Sequence, residues 1–197
     1  MHISPLLEEM KLHFLDDFAR WITEGITREW NAIEHRAENG EFPDSENIES
    51  AMDYPLIREK YAAQAILHLL NTLVDEQLRY MAEAITEFQP PPTRPRWRSE
   101  KISNLSFREL KKIIEESYHI KLSALDGWND YILIRNIDNA SKHRSGLKHL
   151  REFFDEGGNL NEASHEVTVL DARTRISPCI ELVRCLHKIA LSYAKPS

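Results

Sequence analysis

Apolar residues recur at three- and four-residue intervals along most of this chain and alternate over only one short stretch. Between residues 5 and 37 the repeat runs through Leu7, Met10, Phe14, Phe18, Trp21, Ile22, Ile26, Trp30 and Ile33. That spacing predicts a long amphipathic helix, with Glu8, Glu9, Asp16, Asp17, Glu24 and Glu29 mostly on its other faces. Residues 38–53 read as an acidic connection, because Asn39-Gly40 is a turn signal and Pro43 stops helices. The helical repeat resumes over residues 55–88, where Tyr61, Ala62, Ala65, Ile66, Leu69, Leu70, Leu73, Leu78, Met81, Ala82, Ile85 and Phe88 form the apolar face. His68 falls inside that face, and a lone histidine there is more often a satisfied core residue than a ligand. Asp75 and Glu76 interrupt it, either exposed or facing a basic segment elsewhere in the chain.

Four prolines in QPPPTRPRWRS, residues 89–99, break the pattern and favour an extended connection that continues to residue 105. Ser106-Phe107-Arg108-Glu109 has the form of a capping box and opens a helix to about Ser117, with Phe107, Leu110, Ile113 and Ile114 inward. After a break over residues 118–125, a further helix starts near Leu125 or Asp126 and packs through Leu125, Trp128, Tyr131, Ile132 and Ile134. Residues 147–154 suggest a short helical turn closed by Gly157-Gly158. HEVTVL, residues 165–170, alternates and is β-branched, which predicts a short strand with no obvious partner strand other than its own copy in a dimer. Ser177-Pro178 reads as an N-cap and first-turn proline before a last helix marked by Ile180, Val183, Leu186, Ile189, Ala190 and Tyr193. The expectation is one all-α domain over residues 1–197: a bundle of four to five main helices with one short β-strand near the C-terminus.

Composition narrows the class. The chain has 197 residues, 42% hydrophobic and 29% charged, the balance of an ordinary globular protein. It has no apolar run long enough for a membrane span and no N-terminal pattern of a signal peptide. Cys179 and Cys185 are spaced for neither a local disulfide nor a zinc site, so the expected setting is the reducing cytoplasm. The net charge of −7 is unevenly spread. Residues 1–53 carry 4 Lys/Arg against 13 Asp/Glu, whereas residues 94–151 carry 13 against 7. The basic middle suits a phosphate-facing surface, or equally the counter-surface of the acidic N-terminal part, within the chain or across a dimer.

Candidate chemistry concentrates in YILIRNIDNASKHRSG, residues 131–146. At about 100° per residue, Asn139 lies about 40° from Arg135 and His143 about 80° from it, so all three share one side of one helix. Gly146 follows as a left-handed cap. The cations Lys142, His143, Arg144, Lys148, His149 and Arg151 also fit a helix C-terminus, where the dipole favours them. Arg135 reads equally as a paired charge and Asn139 as an amide bonded to backbone. Arg94, Arg96 and Arg98, interleaved with Pro95 and Trp97, suit single-stranded nucleic acid through phosphate contacts and stacking, or a rigid surface connection with its tryptophan tucked down. No Gly-rich phosphate loop, dinucleotide fingerprint, HExxH or CxxC pair is present, so no metal or cofactor site is expected.

The order of these elements resembles the HEPN superfamily of small all-α domains found in bacterial toxins, abortive-infection proteins and RNA-targeting immune effectors. The resemblance covers about residues 55–195. It rests on YAAQAILHLLNTLVDEQL with an acid late in its face, on FRELKKIIEESYHIKL, and on RNIDNASKHRSG, an Arg-Asn…His-x-x-Gly signature. It implies that Arg135 and His143 of two subunits meet across a homodimer and cleave RNA without a metal. His143 would assist proton transfer at the ribose 2′-hydroxyl or the leaving oxygen, and Arg135 would stabilise charge on the phosphate. The product would carry a 2′,3′-cyclic phosphate, and Asn139 would position the reacting groups. Asn136, Lys142 and Arg144, with Arg94, Arg96 and Arg98, would hold RNA. It further implies a cognate antitoxin or defence partner. Seven residues separate Arg135 from His143, one more than the family's usual maximum, and an alignment on Asn139–His143 puts Asp138 where the arginine belongs. An anion beside a phosphate weakens catalysis. The alternatives are therefore a catalytically inactive helical interaction or dimerisation module, or a nucleotide-binding regulator.

Overall fold

The computed structural model describes residues 5–42, 44–88, 102–142 and 167–194. Among these, α1 spans Pro5–Glu38 and α2 spans Ser45–Phe88. A short helix, α3, spans Phe107–Lys112 and runs into a π-helical turn, Ile113–Ser117. The remaining helices are α4 (Trp128–Lys142), α5 (Val169–Thr174) and α6 (Ile176–Ala194). No strand occurs among the described residues, and the chain is all-α there.

Helix α2 is the spine. Ala63, Ile66, Leu67, Leu70, Val74, Leu78, Met81 and Ile85 are buried at helical spacing, and α1, α4, α5 and α6 all pack against it. It begins at Ser45, well before the expected start at 55. Asp44 caps it, accepting from the Asn47 backbone N–H at 2.9 Å, and the helix continues through the buried Pro55. The α1–α2 connection is correspondingly short. Gly40, at φ +68°, turns the chain while the Glu41 N–H bonds back to the Arg36 carbonyl at 3.0 Å.

Two expected faces differ from the observed ones. Among the described side chains of α1 the buried ones are Leu12, Leu15, Ala19 and Ile26, whereas Met10, Phe14 and Trp21 are exposed. The apolar residues of α1 cover more than half of its circumference, and the core takes only one side of that arc. In α2, Tyr61, Leu69 and Phe88 are likewise exposed rather than inward. The expected strand at residues 165–170 is also corrected. Thr168 is an N-cap, and Val169 and Leu170 are the first residues of α5. The cause is a capping box: the Asp171 backbone N–H donates to Thr168 Oγ1 at 3.1 Å, and the Thr168 N–H to Asp171 Oδ2 at 3.0 Å. The capping box expected at Ser106 and Glu109 is present, its reciprocal bonds at 3.3 and 2.8 Å. Pro178 lies in the first turn of α6, which starts at Ile176.

Helix α4 is fixed at its N-terminal end by contact with α6. Gly127 sits at φ +77°, and a Cβ there would lie 2.0 Å from the Pro178 carbonyl oxygen. The Arg175 guanidinium reaches Asp130 at 2.5 Å. Two further pairs tie α1 to α5 and α6, Asp16–Arg173 at 2.7 Å and Glu9–Arg184 at 3.0 Å. Among the described residues no helix is long and apolar enough to cross a membrane.

Candidate functional site

Between α2 and α4 the packing is not wholly apolar. His68, Asn71 and Asp75 lie one helical turn apart along α2, and Tyr131, Arg135 and Asp138 lie one turn apart along α4. The helices run antiparallel, so the residues meet in reverse order. Asp138 faces His68 and Asn71, while Arg135 and Tyr131 face Asp75. The result is a polar seam with two centres.

The first centre is built on Asp75. Its Oδ2 accepts from Arg79 Nε at 2.9 Å, and its Oδ1 lies 3.4 Å from Arg135 Nη1 and 3.5 Å from the Tyr131 hydroxyl. Arg79 also donates to the carbonyls of Ile102, Ser103 and Leu105 at 3.0, 3.2 and 2.8 Å, which pins the segment before α3 to the spine. The Arg135 guanidinium lies over the Phe107 ring, 4.0 Å from its centroid. Phe107 packs in turn against Trp128 and Tyr131, the latter wholly buried. Burial first, and then the Asp75 carboxylate, hold the Tyr131 phenol well above its ordinary value, so it remains a donor. Arg135 and Asp75 are each only 21% exposed, so Arg135 sits in a wall rather than standing free.

The second centre is built on Asp138, which is 3% exposed. Its Oδ2 accepts from Asn71 Nδ2 at 2.6 Å, and its Oδ1 lies 3.1 Å from His68 Nδ1. The His68 side chain is 52% exposed, so this histidine is not the enclosed core residue that its place in the apolar pattern suggested. Asn71 is buried, and its Oδ1 has no hydrogen-bond partner among the described residues.

The residues expected to carry chemistry are distributed unevenly around this seam. Arg135 is part of it, Asn136 is half-buried nearby in sequence, and Asn139 is exposed one turn further along α4. Lys142 ends α4. His143, Arg144, Arg94, Arg96 and Arg98 lie outside the described residues, as do Trp97, Gly146, the turn expected over residues 147–154 and the start of the HEVTVL segment. Of the two alternatives for Asp75, facing a basic segment is the one observed, while Glu76 is exposed. Pattern reading missed the His68–Asn71–Asp138 cluster. The available signal was the spacing of His68, Asn71 and Asp75 at successive turns within an otherwise apolar face. Among the described residues no group of three or more His, Cys, Asp or Glu side chains is placed to hold a metal ion.

Comparison with known proteins finds no matching family model, no matching curated protein and no matching solved structure.

Proposed function

We propose that this protein is a HEPN-like RNA-binding and RNA-cleaving domain, acting without a metal ion as a homodimer in a defence or toxin–antitoxin setting. The observation that best supports this reading is the polar seam between α2 and α4. Two helices that otherwise bury apolar side chains bring Arg135 and a half-exposed histidine to one interface, and α4 leads through the exposed Asn139 toward His143. In this reading Arg135 and His143 act on the scissile phosphate, Asn139 positions the ribose, and Asn136, Lys142, Arg144, Arg94, Arg96 and Arg98 hold the phosphate backbone.

A specific observation favours a second reading. The Arg135 guanidinium is already engaged by Asp75 and Phe107, which suits a structural cation in a non-catalytic interaction or dimerisation module, or in a nucleotide-binding regulator. Salt separates the two. Binding of a labelled single-stranded RNA should weaken steeply between about 50 and 200 mM salt, with a log–log slope of about 0.7 per phosphate contact. Replacing Arg94, Arg96 and Arg98 together by alanine should lower that slope by about 2. Absence of RNA binding even at the lowest salt moves the assignment to the interaction module.

A further inference from the structure

The sequence signature places proton transfer on His143. The structure offers a different group for it. Three features set His68 apart from the other described histidines. Its Nδ1 is 3.1 Å from a carboxylate that is almost wholly buried, half of its side chain is open to solvent, and its Nε2 has no partner among the described residues. Asp138 in turn cannot swing, because Asn71 holds its other oxygen at 2.6 Å. A carboxylate only accepts hydrogen bonds, so it selects the imidazole tautomer with the proton on Nδ1. Nε2 then carries the lone pair, on a side chain that is half open to solvent. Asn71 serves this arrangement through its amide N–H₂: among the described residues its Oδ1 is buried without a partner, a desolvation cost accepted where the amide's donors hold the carboxylate.

From this geometry we propose that His68 is the general base of RNA cleavage and that Asp138, held by Asn71, is its positioning residue; the proposal rests on the ribonuclease reading above. His68 Nε2 takes the proton of a ribose 2′-hydroxyl as the 2′-oxygen forms a bond to the adjacent phosphorus. The bond from phosphorus to the 5′-oxygen breaks, and that oxygen leaves with the electron pair and takes a proton from water. Asp138 stabilises the imidazolium, which then returns its proton to the hydroxide so formed. The products are a 2′,3′-cyclic phosphate and a 5′-hydroxyl, and no further reactant is consumed. Asp138, which occupies the place where the family signature would put an arginine, is on this account the residue that orients the base.

The test compares the full-length wild type with His68→Ala, His68→Gln and Asp138→Asn for cleavage of a single-stranded RNA in EDTA. His68→Gln keeps an amide donor that can reach Asp138 and should melt close to the wild-type temperature, whereas His68→Ala leaves that buried carboxylate with one partner fewer, so both variants are assayed below their own melting temperatures. Both should lose about 100-fold or more in kcat. Asp138→Asn should lower kcat at unchanged KM. Long-range ¹⁵N–¹H correlation on the free protein supplies a second readout that a structural role would not move: His68 should carry its proton on Nδ1, and Asp138→Asn should shift it toward Nε2. Full cleavage by folded His68 variants, or a proton on Nε2 in the wild type, overturns the assignment alone. A wild type that binds but cuts no RNA overturns the ribonuclease reading, and this assignment with it.

Discussion

Asp75 holds two guanidinium groups with one carboxylate, and the asymmetry of that arrangement has a measurable consequence. Removing Arg135 leaves Asp75 still paired with Arg79 at 2.9 Å. Removing Asp75 leaves both arginines without their carboxylate, although Arg79 keeps its three carbonyl partners. Breaking a fully buried pair costs about 3–5 kcal/mol, and exposed pairs about 0–1 kcal/mol. With both groups one-fifth exposed, Asp75→Ala should cost about 2 kcal/mol and Arg135→Ala about 1 kcal/mol. For a chain of this length the first corresponds to a melting-temperature drop of about 4–8 °C. Thermal melts of the two variants check the order. An Arg135→Ala loss equal to or larger than that of Asp75→Ala would mean that Arg135 is held chiefly by Phe107 and not by the ion pair.

At the scale of elements, the long helices α1, α2, α4 and α6 were legible because each has its own periodic stripe, and α3 because Ser106 and Glu109 announce its start. Legibility failed where a local interaction overrode a pattern. HEVTVL alternates like a strand, but Thr168 and Asp171 satisfy each other's backbone N–H groups, and two helical residues replace the end of that strand. The helical repeat was read from residue 55, yet α2 starts at Ser45, capped by Asp44, and passes through Pro55. The seam was half legible. Arg135 stood out as a cation on an apolar face, whereas Asp138 was visible only as a departure from a signature. Its partners His68 and Asn71 lie more than sixty residues away in sequence, and helix pairing cannot be read from one helix alone. Gly127 belongs to the same class: its small size matters only because Pro178 of α6 lies against it.

For the whole molecule, ionisation sets the range of pH in which the bundle holds together. The bond from Arg184 lowers the Glu9 carboxyl, and the bond from Arg173 lowers that of Asp16. Burial lowers the His187 imidazole below its ordinary 6.5. Each of these groups binds fewer protons folded than unfolded, so stability falls as pH falls. The His187 share is lost as pH drops below about 6.5, and the carboxylate shares are lost below about 4.5. In the other direction, burial pushes the Cys179 thiol from 9.0 up to about 12 and raises Tyr131 as well, so stability is lost again as pH rises through 9. Melting temperature should therefore plateau near neutrality and fall on both sides, and His187→Gln should flatten the decline that begins near 6.5. A decline below 6.5 that is unchanged in this variant would place its origin elsewhere.

The central claim, that this helical bundle cleaves RNA through the 2′-hydroxyl, is tested most directly by incubating the wild-type protein in EDTA with one single-stranded RNA and with its fully 2′-O-methylated counterpart. The account predicts that both bind and that only the unmodified strand is cut, with 2′,3′-cyclic phosphate and 5′-hydroxyl ends. Binding of both without cleavage of either, or cleavage of the methylated strand, would contradict it.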